Sequence, residues 1–175
     1  MAIDETRTFK PIRMALMTIS DSRTPENDTS GDILADRITG AGHDLAERTI
    51  VEDSVDAIVS RLHAYIDRED IDAVITTGGT GLTGRDVTPE ALARVQTREI
   101  PGFGELFRWL SYKTIGTSTI QSRACAVVAR GTYIFALPGS NGAVKDGWDG
   151  ILAEQLDARN RPCNFVELMP RLNEK

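Results

Sequence analysis

The chain has 175 residues, of which 41% are hydrophobic and 26% charged, with a net charge of −6. This is the composition of one soluble globular domain, and the acid excess argues against nucleic acid as the main partner, because phosphate backbones select basic surfaces. No apolar run approaches the ~20 residues of a membrane span, and Met1-Ala2-Ile3-Asp4-Glu5 lacks the basic and apolar regions of a signal peptide, so a cytoplasmic protein with reduced Cys125 and Cys163 is expected.

Residues 1–11 are polar, end in Pro11 and read as a flexible arm; residues 12–175 read as a single domain. Arg13 to Ile19 is a first strand, ending in Ser20-Asp21-Ser22. Loop residues fill 23–31, and Ile33, Leu34, Ile38 and Ala41 then share a helical face closed by Gly40 and Gly42. A second strand covers about Asp44 to Val51. Asp53 or Ser54 caps the next helix, whose Ile58, Val59, Leu62, Tyr65 and Ile66 form an apolar stripe. Asp72-Ala73-Val74-Ile75 is a buried strand. The order β-α-β-α-β-loop-α marks a parallel sheet with helices on both faces.

The loop after the third strand is the most informative stretch. Gly78, Gly79, Gly81 and Gly84 fall within seven residues, followed by Asp86-Val87-Thr88-Pro89-Glu90. Glycines let backbone N–H groups approach a ligand. Thr88 is the expected N-cap, with Pro89 at the first helical position. Free amides leading to a helix N-terminus suit an anion such as phosphate. Asp86 would repel a bare phosphate but could hold a divalent cation bridging to one. The match to G-x-G-x-x-G at Gly79, Gly81 and Gly84 is a weak sign of a dinucleotide. The loop is too long for that pattern and lies in the third βα unit rather than the first. No G-K-[ST] is present, which excludes a P-loop.

Glu99 to Gly104 reads as a turn, and Phe107, Leu110 and Ile115 suggest a further helix. Ala124–Ala129 and Thr132–Leu137 are two strands split by Arg130-Gly131, a gap short enough for a hairpin and hence an antiparallel edge. Pro138-Gly139-Ser140 is a second glycine loop after a strand, opening a helix with Val144, Trp148, Ile151 and Leu152 inward. The tail from Leu156 either packs on a neighbouring subunit or lies along its own. Ligands of open α/β sheets bind beyond the carboxyl ends of the strands. Ser20-Asp21, Asp53, Gly78–Asp86 and Pro138–Ser140 all follow strands, so they should gather at one rim. Asp53 has a second reading as an N-cap, Asp21 as an Asx-turn and Asp86 as a turn residue. Cys125 reads as core, and His43 and His63 as surface residues.

At Thr77–Gly81, Arg85–Glu90 and Leu137–Ser140 the chain resembles the MoaB/Mog family of molybdenum cofactor biosynthesis, which includes the gephyrin and Cnx G domains. The resemblance runs from about residue 12 to 166. The stretches 101–111, 115–123 and 155–165 bring it nearest to the MoaB branch. It implies a three-layer α/β/α sandwich with a mostly parallel sheet and an antiparallel edge strand. It implies a trimer or hexamer that binds molybdopterin, and active members adenylylate that ligand with Mg-ATP. On that pattern Asp86 and Asp53 are the functional aspartates and Mg²⁺ ligands, and Ser122 is a third catalytic candidate. Asp21, Ser22, Gly78, Gly79, Thr80, Gly81, Thr88, Glu90, Pro138, Gly139 and Ser140 are the expected binding residues. Ala136 and Asn141 depart from the family, which often has Asn and Pro there. The alternative function is a carrier that holds molybdopterin without chemistry.

Overall fold

A computed structural model describes residues 3–174. Met1 and Ala2 of the expected arm, and Lys175 at the end of the expected domain, lie outside the described residues. Strands β1 (Arg13–Ile19), β2 (Asp44–Val51), β3 (Ala73–Thr77) and β6 (Thr132–Leu137) run parallel. Strand β5 (Cys125–Ala129) is antiparallel to β6, and a two-residue β4 (Arg98–Glu99) pairs antiparallel with β5. The sheet order is β2-β1-β3-β6-β5-β4. The turn between β5 and β6 is Arg130-Gly131, with φ of 49° and 95°. Positive φ at both central residues gives the tight turn that matches strand twist.

The pleat sends alternate side chains to opposite faces, and in this sheet both faces are covered. Met14, Leu16, Ile75, Phe135 and Leu137 pack against α1 (Thr29–Gly40), α4 (Pro101–Ile115) and α5 (Asn141–Gly147). Ala15, Met17, Val74, Ile134 and Ala136 pack against α2 (Val55–Ile66) and α3 (Thr88–Val95). Two cores flank one sheet, giving the expected three layers. Strands buried on both sides explain why these segments read as nearly unbroken apolar runs. Replacing Leu16 by Ala in such a core would cost about 2–5 kcal/mol.

Some local expectations are revised or refined. The stretch Glu99–Gly104, expected as a turn, is the end of β4 followed by the first turn of α4. Pro101 starts that helix, and Phe103 and Phe107 anchor it, with the Phe103 ring 5.3 Å from that of Phe135. Thr88 is not the N-cap of α3; Val87 holds that position without a side-chain bond, and Thr88 is already helical. The helix that opens at Asn141 runs through one π turn, Trp148–Leu152, into α6 (Ala153–Gln155).

The tail lies along its own subunit. Phe165, opening α7 (Phe165–Leu168), places its ring 4.9 Å from Tyr133 and 5.5 Å from Phe135. Residues at the N-terminal end follow the tail: Ile3 bridges to Asn160, the Asp4 N–H donates to the Arg159 carbonyl, and Arg7 pairs with Glu167.

His43, expected at the surface, is buried between Phe9 and Trp148. Its Nδ1 accepts a hydrogen bond from the Ile12 N–H at 3.3 Å, which requires the unprotonated ring nitrogen. Burial lowers its pKa below the usual 6.5, against the opposing pull of Asp157 and Asp44. The unfolded chain therefore takes up this proton first, and stability is lost as pH falls through 6.5 towards the folded value. One proton limits the slope to about 1.4 kcal/mol per pH unit. Denaturant melts at pH 7.5, 6.5 and 5.5 should show this loss, and His43→Asn, which keeps an acceptor but cannot titrate, should flatten it. Equal slopes in the two proteins would assign the effect elsewhere.

Candidate functional site

The carboxyl ends of β1, β2, β3 and β6 meet at one rim, as the sequence requires. The β3 loop passes closest to its neighbours at Gly78 and Gly79, with φ of 109° and 63°. A side chain at Gly78 would collide with the Ile19 carbonyl at the end of β1. One at Gly79 would lie against the Thr88 hydroxyl and 2.8 Å from Asp53 Oδ1. Both conformation and space therefore demand glycine. The two glycine loops touch: the Gly78 N–H donates to the Leu137 carbonyl at 3.0 Å, and the Thr77 hydroxyl donates to the Pro138 carbonyl at 3.2 Å. Gly139 packs directly against Gly78. Thr88, freed from capping, uses its hydroxyl to hold the Gly78 carbonyl at 2.8 Å, and its N–H holds that of Gly79.

The acids differ in their surroundings. Asp86 Oδ2 accepts from the Thr83 hydroxyl at 2.6 Å and the Thr83 N–H at 2.9 Å. These bonds, led by the hydroxyl, hold its carboxyl below the usual range. Asp53 Oδ1 is buried with no hydrogen-bond partner. Burial, and then the charge of Asp86, push the Asp53 carboxyl up. Asp53 is not the helix cap; Ser54 fills that role through the Ala57 N–H. Asp21 accepts from the Asp53 N–H at 3.1 Å and pairs with Arg85, and the Ser22 N–H donates to the Ser20 hydroxyl. Ser140 caps α5 through the Ala143 N–H.

A lone buried carboxylate oxygen beside a second acid is a group that lacks its counterpart. Mg²⁺ fits this donor set, because it is commonly held by one or two carboxylates with phosphate oxygens and water completing its shell. No cluster of three or more acids, His or Cys occurs among the described residues, so an all-protein cage for a larger ion is not built.

A cavity of about 300 Å³ opens beside the loop. Thr80, Gly81, Ser122, Pro138 and Ser140 of the expected set line it, joined by Phe107 and Ser111 of α4. Thr80 is 1% exposed, and its buried hydroxyl has no partner. The Ser122 hydroxyl accepts only from the Ala124 N–H, at 3.3 Å, and keeps its proton available. A second hollow of about 550 Å³, between α3, α4 and β5, also borders Ser122 but none of the glycine loop. Cys125 lines that hollow, and burial pushes its thiol up to about 11, so it stays protonated and inert.

The residue that sequence reasoning missed is Arg123. Its Nε donates to the Gly81 carbonyl and its Nη2 to the Asp86 carbonyl, each at 2.6 Å. Its third arm pairs with Glu90, and its N–H donates to the Thr80 carbonyl at 2.9 Å. One side chain thus fastens both ends of the loop that carries Asp86, and Glu90 is occupied in holding it. The hydroxyl-rich stretch 117–123 gives no hint of this, because every partner is more than thirty residues distant.

Arg123→Ala should loosen the loop without unfolding the sheet. Charged hydrogen bonds of this kind are worth about 1.5–3 kcal/mol. Amide exchange over residues 80–87 should accelerate by on the order of 10-fold or more, while β1 and β3 stay protected. Arg123→Lys should fail to restore protection, since an ammonium cannot span two carbonyls in the plane of a guanidinium. Unchanged exchange in Arg123→Ala would remove the residue from this role.

Comparison with known proteins is consistent with this arrangement. Residues 15–158 match the family described as "Probable molybdopterin binding domain". Molybdenum cofactor biosynthesis protein B of Escherichia coli K12 is 51% identical over 157 residues, covering 90% of this chain and 92% of that protein. The protein of the same name from Bacillus subtilis 168 is 42% identical over 159 residues, covering 89% and 94%. A crystal structure of a molybdenum cofactor biosynthesis protein B superposes with a TM-score of 0.86 at 36% identity, covering 97% of this chain and 100% of that one. The tungsten cofactor synthesizing protein MoaB of Pyrococcus furiosus does so at 0.75 and 33%, covering 83% and 92%. The match takes in β1 through β6 and the loops that meet at the rim, and on that basis the chain belongs to the molybdopterin-binding-domain family of molybdenum cofactor biosynthesis proteins, as a relative of MoaB.

Proposed function

We propose that the chain binds molybdopterin and transfers an adenylyl group from Mg-ATP to the terminal phosphate of the pterin. An oxygen of that phosphate attacks the α-phosphorus of ATP, the bond from that phosphorus to the bridging oxygen breaks, and pyrophosphate leaves. The observation that carries this reading is the meeting of the Gly78–Asp86 loop with Pro138–Ser140 beside the buried, unpartnered oxygen of Asp53.

Chemistry of this class depends on positioning and charge neutralisation. Mg²⁺, when bound, supplies charge neutralisation between two anionic reactants. Asp53 and Asp86 are the residues that would hold it. Amides of the glycine loop offer donors to phosphate oxygens. The Ser122 hydroxyl, at the cavity, orients the attacking phosphate or the pterin. Arg123 keeps the loop closed and, from behind, helps keep the Asp86 carboxylate charged.

Ala136, one of the two departures from the family, does not bear on this cavity. Its side chain is fully buried on the α2–α3 face of the sheet. Asn141, the other, accepts from the Thr29 hydroxyl at 3.0 Å and ties α5 to α1. Position 136 is thus not among the residues that line the cavity.

Self-association as a trimer or hexamer is part of the proposal. The outer side of α4 carries Leu106, Trp109 (59% exposed), Tyr112 and Ile115, and Ile120 (81% exposed) extends the strip. Exposed apolar patches of this kind mark interaction surfaces. No helix among the described residues is long and apolar enough to cross a membrane.

Incubation with molybdopterin, Mg²⁺ and ATP should yield adenylylated pterin and pyrophosphate. Asp86→Asn should lower turnover on the order of 100-fold while pterin affinity changes little. Pterin binding without any product would leave the carrier as the function, and unchanged turnover in Asp86→Asn would remove that residue from the chemistry. For assembly, light scattering on Trp109→Glu should give a smaller species than the native chain; an unchanged mass would place the interface elsewhere.

A further inference from the structure

The one acidic side chain that lines the cavity among the described residues has no part in the scheme above. Asp146 lies on α5 and lines the 300 Å³ cavity together with Gly142 and Ala143, one turn earlier on the same helix face. Asp149, three residues on, is paired with Arg37; Asp146 has no ion-pair or side-chain hydrogen-bond partner among the described residues. The other polar groups of the cavity are neutral: the hydroxyls of Thr80, Ser111, Thr114 and Ser122, and the amide of Gln121 among them. No Lys, Arg or His lines it among the described residues.

The charge arrangement divides the cavity. At one end are the glycine loop, Ser122 and Ser140, with donors suited to phosphate. Six residues separate Ser140 from Asp146, roughly 9 Å of helix rise. A phosphate at the far end would face a carboxylate with no cation beside it. A flat heterocycle with N–H donors would instead be matched there, with Phe107 as an apolar wall. The size agrees: the cavity is at the small end of the about 300–1,000 Å³ typical of ligand sites, suited to one fused ring system rather than a whole dinucleotide.

We propose that Asp146 is the specificity-determining residue for the ring, its carboxylate accepting two parallel N–H bonds from a 2-amino-4-oxopyrimidine edge. Such an edge presents the ring N3–H and the 2-amino N–H side by side, and a carboxylate accepts both, as it does from arginine. Adenine offers one donor beside an acceptor and is matched by an amide rather than an acid. This inference rests on the pterin reading and adds to it the residue that recognises the ring.

The test uses two small probes on the full chain. Pterin-6-carboxylate carries both donors. Lumazine-6-carboxylate has a carbonyl in place of the 2-amino group, so Asp146 gains one bond and meets one repulsion. The native protein should prefer the pterin by about 10- to 100-fold, as expected for a charged hydrogen bond lost. Asp146→Asn should abolish or invert that preference, since its amide matches the N3–H and 2-oxo pair of lumazine. Asp146→Ser should weaken both and prefer neither, and melting curves on all three proteins check that each is folded. If the native protein prefers the pterin and both variants keep that preference, Asp146 is not the selector while the pterin reading stands. If the native protein binds neither probe, both fail together. If it binds both equally, ring recognition by Asp146 is overturned.

Discussion

The site depends on one constraint, the close approach of the β3 loop to the end of β1. Gly78 has no room for a side chain beneath the Ile19 carbonyl, and Gly79 has none between Thr88 and Asp53. That crowding brings Asp53, which belongs to the β2 side of the sheet, against a loop leaving β3. It buries one oxygen of Asp53 and couples its charge to Asp86. A methyl group at either glycine would have to displace these neighbours. The raised carboxyl of Asp53 and the lowered one of Asp86 have separate causes, burial in the first and the bonds from Thr83 in the second.

A loop this rich in glycine is entropically costly to order, and the fold spends several strong bonds on it. Thr88 holds one end through the Gly78 carbonyl, and Arg123 holds the other through Gly81, Asp86 and Glu90. These bonds consume carbonyl oxygens. Amides are what a phosphate needs, and engaging the carbonyls elsewhere leaves the loop biased towards donors. Glycine supplies the shape, and the arginine supplies the rigidity that glycine removes.

Much of this was legible in the sequence because it is written locally. Strands buried on both faces announce themselves as apolar runs, and glycine, proline and aspartate punctuate their ends. The placement of the acids after strands followed from the βα rhythm alone, since parallel strands deliver their ends to one rim. What could not be read was any partnership across distance. Asp53 and Ser54 were equally good caps until packing chose the serine. Thr88 resembled a cap but was drawn into the helix by its bond to Gly78. The first turn of the helix at 101–115 was hidden by Gly102 and Gly104, whose low propensity was overridden by Phe103 and Phe107 in the core. Arg123 and Asp146 were not singled out, because a guanidinium or carboxylate carries no local mark of what it faces.

The reversed direction of β5 has a consequence for how the rim is built. Four strands approach it by their trailing ends, each releasing a loop outward. Strand β5 travels the opposite way, so it is its leading end that starts there, immediately after Ser122 and Arg123. The chain therefore arrives at the rim from outside and is then pulled down into the sheet, anchoring those two residues by the strand that follows them. A purely parallel architecture could offer only departing loops; the hairpin lets one incoming segment stand across from them, as a jaw closes against a palate.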